Sequence, residues 1–425
     1  DYFGKLLFLM WNAIIKLLLG TEETNMDKIA AFLHRKLDNF SFDEYLIMFV
    51  VCTIFLPFYC SIIAIIGVLL YLTIQGRMKT IIQSVPRSKF AIAFCLLASL
   101  VAAFHQNWLG AVCGIGILVI FLFIFYFRTV INKRLFELLM DACCIISLFC
   151  VAWALMEYMR IVHRLNYDFM MLVIEDSPKN RVNSTFFNAN YYAMMIEFLV
   201  LICVYKMMQV KTKRRIIFYI VTILANLFAL YLTGCRTAWV PFVVTIPFMF
   251  LMNKRFGYFT ATMSAIGTGG IAILLKPEVF QRASIFTDFL KRAKIWTTAV
   301  KGIEAHPLLG EGPLTYFHIY KQYGGHPTQH AHNVILDPIL SHGVIGVLIM
   351  GVYFGSNLKE IYRLFVRRID LRLCSLIVAC ILTVLIHGML DYTVYWVQTG
   401  LLFLLILSSS SIYFHKERAY TQEEV

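Results

Sequence analysis

The sequence predicts an all-α polytopic membrane protein, with about twelve transmembrane helices and a large outward loop that holds amphipathic helices. Three observations carry this. Of 425 residues, 60% are hydrophobic and only 15% are charged, against about 45–50% and about 25% in a soluble domain. The mean hydropathy is +0.73, and no soluble core at this length hides so much apolar surface from water. Apolar stretches between charged clusters also repeatedly approach the roughly 20 residues that cross a bilayer. Soluble enzymes, secreted disulfide scaffolds and disordered chains are excluded, as is an outer-membrane barrel, whose strands alternate with a period of two.

Residues 1–44 form an N-terminal segment in which Phe3, Leu6, Leu7, Met10, Ile14 and Leu17 suit a helix lying on the membrane surface. Residues 1–20 carry Lys5 and Lys16 but no small-residue cleavage signal, so no cleaved signal peptide is expected. The first block of spans fills 45–275: 45–57, 59–75, 89–104, 108–127, 136–159, 188–208, 215–233, 238–252 and 256–275. The first two meet at Pro57 and read equally as one long tilted helix. A hydrophilic stretch, 276–332, forms the large outer loop. Spans 333–355, 373–392 and 396–414 and a short tail complete the chain.

The net charge of +13 does not indicate nucleic-acid binding. Lys and Arg sit in short clusters between apolar spans, such as Lys211–Arg215, Arg128–Arg134 and Lys359–Arg372, and no long basic face tracks a phosphate backbone. Clusters of this kind fix orientation, the more basic side facing the cytoplasm. Loops 160–187 and 276–332 then face outward, and the tail inward. Of eleven cysteines, all but Cys235 lie in or beside apolar spans, which reads as small buried hydrophobes and not as a disulfide framework or a CxxC metal site.

Basic residues on the outward side run against the orientation rule, so they need another purpose. Arg181 ends loop 160–187, Arg236 occupies the tight 234–237 turn, and Arg282 and Arg292 lie in loop 276–332. A single arginine there snorkels to lipid phosphate. Four of them beside a histidine cluster point to an anionic ligand, because guanidinium binds phosphate oxygens bidentately and keeps its charge. Within 285–303, Phe286, Phe289, Ala293, Trp296, Val300 and Ile303 recur at helical spacing, predicting an amphipathic surface helix with Arg292 and Lys294 off its apolar stripe.

The runs Arg292-Ala-Lys-Ile-Trp296, His306-Pro-Leu-Leu-Gly310-Glu-Gly312, His330-Ala-His332-Asn333 and Gly343-Val-Ile-Gly346 resemble the O-antigen ligase and polymerase superfamily. The upstream pieces Arg181–Asn190 and Arg236-Thr-Ala-Trp239 fit in the same order. The resemblance implies a bacterial inner-membrane glycosyltransferase that moves glycan from a polyprenyl diphosphate carrier, without metal or cofactor, at the outer face. By similarity, Arg236 and Arg292 hold the donor diphosphate, with Arg181 a further candidate and Asn333 on the substrate. His332 is the catalytic histidine, with His330 as the alternative, and Asp391 matches a late acidic position. The acceptor implied is lipid A core for a ligase, favoured by the His-Ala-His-Asn run, or a second lipid-linked glycan for a polymerase.

General chemistry asks for the same parts. A diphosphate is a good leaving group and needs no general acid. The reaction needs positive charge where diphosphate charge develops and a base for the acceptor hydroxyl. Arginines and an imidazole supply both, and Asp391 suits the orientation of that imidazole. Against zinc at His326, His330 and His332 stands the lack of cysteine in that loop. His306, Gly310 and Gly312 read as a turn, since no Lys-Ser/Thr follows as in a P-loop. Among charges inside or at the ends of spans, His387 and Asp391 fall four apart and suit a pair. Glu157 and Asp141 reach water at span ends, Asp337 starts the tenth span, and Glu197 is left without a role. Asn188 and Asn190 cap a helix or touch sugar. A flippase would show midplane polar groups, broken helices and often internal repeats, whereas here polarity concentrates in the outer loops.

Overall fold

The computed structural model describes residues 40–170, 180–276 and 285–414, with 285–289 described as backbone. The N-terminal surface helix, Arg282 and the C-terminal tail lie outside the described residues. Among the described residues the fold is all helical: α1 (Phe42–Thr53), α2 (Phe58–Ile74), α3 (Met78–Ser84), α4 (Ser88–Phe104), α5 (Trp108–Val130), α6 (Lys133–Leu165), α7 (Ala189–Gln209) and α8 (Lys213–Thr233). There follow α9 (Val240–Met252), α10 (Phe256–Leu275), α11 (Ile285–Ala305), α12 (Thr315–Ile319), α13 (Leu336–Val366), α14 (Leu371–Gly388) and α15 (Val397–Ser408).

Helices occupy all twelve expected spans, yet eight of them, among the described residues, are long and apolar enough to cross a membrane by length and composition, the last counted from Val397 through Phe414. The remainder are α1 with 12 residues, α2 and α4 with 17 each, and the Thr237–Met252 helix. Pro57 separates α1 from α2, so 45–75 is two helices and not one. α2 in turn is bent by 105° against α3. The expected number of about twelve therefore counts helices, of which four are short.

α7 is the centre of the bundle. Its apolar window is wholly buried, as a helix apolar on every side requires, and α6, α8, α9, α14 and α15 pack around it. Asn188 caps it, its side chain accepting from the Asn190 N–H at 2.8 Å. α10 is the opposite case: none of its residues is buried.

One end of the bundle is tied by ion pairs. Arg128, which sequence alone places among the orienting surface charges, is buried and donates two hydrogen bonds to Glu360, at 2.8 and 2.9 Å, and one to Asn357. Lys133 meets Asp370 at 2.6 Å, and Lys206 meets Glu137 at 2.7 Å and Asp141 at 3.1 Å. Asp141 thus serves an ion pair as well as reaching water, with 29% of its side chain exposed.

At the other end α11 and α12 sit on α13 over a small second core of Ile295, Ala299, Tyr316, Ile319, Ala331 and Leu340. The buried face of α11 is Ile295, Thr298, Ala299 and Gly302, while Val300 is 41% exposed. The apolar stripe expected through Ala293 and Val300 is therefore about one residue out of phase. Gly302 sets the phase, for a Cβ there would meet Ile319 Cδ1 at 2.5 Å. The rotated face carries Arg292, three residues before Ile295, inward and half-buried.

The glycine runs are packing devices. α13 breaks at Gly343 (φ 59°), where the Val344 and Ile345 N–H groups bond Pro307 O and Leu308 O at 3.0 Å. A Cβ at Gly343 would lie 2.2 Å from the Leu308 carbonyl carbon. Gly310 (φ 63°) and Gly312 (φ 87°) lay the same strap on Ser341 and Ala102. The turn expected at His306–Gly312 is therefore a strap threaded against a broken helix.

Candidate active site

The site is assembled around the segment that leaves α14. That helix ends at Gly388, where a Cβ would strike Val334 at 2.7 Å, and the Val334 N–H bonds Gly388 O at 2.6 Å. The 330–335 segment is thereby pinned against residues 388–391. Asn333 completes the seam: its side chain donates to Met389 O at 3.1 Å and accepts from the Ile335 and Leu336 N–H groups at 2.9 Å. Asp337 holds the other side of the loop, accepting from the Ala331 N–H at 2.7 Å.

His332 lies in this clamp with φ 49°, a left-handed conformation uncommon outside glycine and sustained only when the surroundings fix it. Its Nδ1 is 2.7 Å from Asp391 Oδ1 and its Nε2 is 2.9 Å from Thr328 Oγ1. His330 sits beside it, with ring centroids 4.5 Å apart and Nε2 3.9 Å from the same Asp391 oxygen. His332 keeps 24% of its side chain exposed and His330 only 6%, so His332 alone of the two reaches the open side.

Burial raises the Asp391 pKa, but the neighbouring His332, His330 and His387 outweigh it and hold the carboxyl well below the usual range. The carboxylate is therefore ionised and accepts from the His332 Nδ1–H. Burial, and then the neighbouring His332, push His330 down to about 4, against the smaller opposing pull of Asp391. His330 is a neutral imidazole at pH 7.

The second Asp391 oxygen accepts from Asn190 Nδ2 at 2.5 Å, and Asn190 Oδ1 accepts from Arg181 Nη2 at 2.5 Å. Arg181 Nε donates to Thr233 O at 2.7 Å, at the end of α8. Arg292 Nε donates to Leu390 O at 3.0 Å, one residue before Asp391. Arg236 opens the 3-10 turn Thr237–Trp239, and the Thr237 hydroxyl lies 3.5 Å from His387 Nε2. Arg181, by way of Asn190, and Arg292, at Leu390 O, thus meet His330, His332 and Asp391 at one locus. Arg181 also lines a cavity of about 430 Å³ with Arg160, Arg164 and Asn180.

Other expectations change. His387 does not pair with Asp391, because the helix stops at Gly388 and turns Asp391 off the shared face. His387 Nδ1 meets Glu197 at 2.9 Å instead, both fully buried, which gives Glu197 its role. Glu157 does not merely reach water: it accepts from the Asn183 and Ser184 N–H groups at 3.1 and 2.8 Å and so anchors the approach to α7. Asn190, read from sequence as a cap or sugar contact, is the bridge from Arg181 to Asp391. Thr328, Arg160 and Arg164 were not singled out; the Arg160/Arg164 spacing of four on one helix face was the signal available.

Residues 184–351 match the family model described as O-antigen ligase. This match over about two fifths of the chain supports the resemblance to the O-antigen ligase and polymerase superfamily. No curated protein and no solved structure gives a match. The matched stretch contains Asn190, Arg236, Arg292, His330, His332 and Asn333, whereas Arg181 and Asp391 lie outside it and are brought in by the fold. The family comprises glycosyltransferase-like ligases and polymerases acting on lipid-linked glycans, and the apolar helices make the chain a multi-pass membrane protein. Among the described residues, the ligand atoms of His330, His332 and Asp391 all lie within 4.8 Å of one another. The short His332–Asp391 contact makes a hydrogen-bonded dyad of two of them.

Proposed function

We propose that the chain is an O-antigen ligase of the bacterial inner membrane, transferring glycan from a polyprenyl diphosphate carrier to a hydroxyl of lipid A core at the outer face. The observation that carries this reading is the His332–Asp391 dyad, with Arg181, through Asn190, and Arg292 held about the loop that bears Asp391.

Asp391 takes the Nδ1–H of His332, which fixes the tautomer with a lone pair on Nε2. The Thr328 hydroxyl, 2.9 Å from Nε2, marks the direction from which an acceptor hydroxyl reaches the base. Nε2 removes the hydroxyl proton as the acceptor oxygen attacks the anomeric carbon. The bond from that carbon to the diphosphate oxygen breaks, and the configuration inverts. The imidazolium is stabilised by Asp391, and the charge developing on the leaving diphosphate is met by Arg236 and Arg292, with Arg181 beside them. No step calls for a metal. His330, buried and neutral, has no line to the acceptor and serves as packing for His332.

The orientation follows from the orienting charges at the opposite end of the bundle, although Arg128, Lys133 and Lys206 there also have internal partners. The test is product analysis with purified protein in lipid, a polyprenyl diphosphate-linked glycan as donor, and lipid A core competing with excess donor as acceptor. Glycan on the core is expected. Longer lipid-linked chains would make the protein a polymerase. Movement of intact donor across vesicles with no new glycosidic bond would make it a transporter and overturn the enzyme reading.

A further inference from the structure

Outside the dyad, His105, His306 and Glu311 form a second cluster whose ligand atoms all lie within 4.8 Å of one another. It joins two remote parts of the chain. His105 ends α4, while His306 and Glu311 lie on the strap that follows α11. His306 Nε2 is 3.3 Å from Glu311 Oε1, and the two imidazoles meet edge to face with centroids 4.7 Å apart. We propose that this cluster is a structural site for a divalent zinc-class ion, held by His105, His306 and Glu311, which staples the α11 strap to the α4–α5 connection.

The donor set is the reason for the choice of ion. Two imidazoles and one carboxylate suit zinc, whereas calcium and magnesium take sets of oxygen ligands. Tetrahedral zinc, with its ligands at about 2.0–2.2 Å, spaces donor atoms by roughly 3.4 Å, and the His306–Glu311 separation is already of that size. Glu311 is 10% exposed at its side chain and His306 is 42% exposed. The site therefore has a buried anchor and an open side, which admits the ion and leaves a position for water.

The backbone beneath the cluster is fixed from both sides without the ion. Asn107 Nδ2 donates to Glu311 O at 3.3 Å and to Pro313 O at 2.8 Å, and its Oδ1 caps α5 by accepting from Gly110 N–H at 3.0 Å. Gly312 lies against Ala102. The ligands are thus presented on a preformed junction, and binding them costs little further ordering. Arg292 lies roughly 20 Å along α11 from His306. Fixing the end of that helix fixes the direction from which its arginine reaches Leu390. The ion takes no part in the transfer itself, so the site stands or falls independently of the proposed function.

The test is zinc titration of the purified full chain in lipid nanodiscs after chelator stripping, read by calorimetry and by metal content after desalting. His105→Gln and His306→Gln keep size and polarity, and their elution profiles report folding. The His330→Ala/His332→Ala double variant removes the other three-ligand cluster found among the described residues and leaves this one untouched. Loss of one zinc per chain in each Gln variant, with at least one zinc retained by the double variant, is expected. A zinc count in the Gln variants equal to that of the natural chain, none included, overturns the proposal. A double variant that binds no zinc overturns it as well, which covers the case of Gln variants that do not fold.

Discussion

Replacing Asp391 by asparagine changes one atom of the dyad and leaves its size unchanged. In the natural chain both carboxylate oxygens accept: Oδ1 from His332 Nδ1 at 2.7 Å, and Oδ2 from Asn190 Nδ2 at 2.5 Å. An amide has one acceptor and one donor, so in Asp391→Asn its NH2 faces one of two donors. If it faces Asn190, that amide can flip, but its oxygen then leaves Arg181. If it faces His332, the imidazole must place its proton on Nε2 and is no longer a base towards the acceptor. A hydrogen bond to a charged group contributes about 1.5–3 kcal/mol, and the imidazolium formed in the transition state also loses its counter-charge. Loss of that bond alone slows transfer about 10- to 100-fold. With the wrong tautomer the expected fall in kcat is about 10³- to 10⁴-fold, the scale seen when a buried aspartate behind a catalytic histidine is neutralised. The assay is transfer of labelled glycan from lipid-linked donor in nanodiscs, with the elution profile as the folding control. A folded Asp391→Asn protein within about threefold of the natural rate, roughly 0.7 kcal/mol, would refute the dyad.

Asn190→Ala leaves Asp391 Oδ2 and Arg181 Nη2 without their shared partner and is expected to lower both thermal stability, by about 1–3 kcal/mol, and transfer; unchanged melting and rate would remove Asn190 from the site. His330 is pushed down to about 4 in the fold, while an unfolded histidine titrates near 6.5. Between these values the unfolded chain binds more protons, so stability falls as pH drops from about 6.5 to 4, by about 3 kcal/mol in all. Melting curves across that range should steepen for the natural chain and flatten for His330→Gln. At the far end, Arg128→Ala strands the buried Glu360 carboxylate and should cost about 3–5 kcal/mol, with the Arg128→Met/Glu360→Leu double variant melting higher than the single one.

Much of this was legible because membrane proteins write function as exceptions. Arg181, Arg236 and Arg292 stand out against the orientation rule, and His330 to Asn333 stands out as a polar run at the start of an apolar helix. The partner choices were not legible, because they depend on where helices stop and how they rotate. Asp391 reads as one turn beyond His387 until α14 ends at Gly388 and delivers it to His332. Arg292 reads as off the apolar stripe until Gly302 seats α11 a residue further round. Arg128 looks like a surface charge, since composition says nothing of Glu360, over two hundred residues away in sequence. The span count was legible only in part: hydropathy marked the apolar stretches, but not that Pro57 and the 105° bend after α2 leave some of the helices short.

The central claim is that His332 is the base, and it is most directly tested by His332→Ala in the reconstituted transfer reaction, with donor binding measured on the same preparation. The expected result is loss of transfer with donor affinity retained, since the arginines proposed to hold the diphosphate are untouched. A folded His332→Ala protein that still moves glycan at a near-natural rate would contradict it.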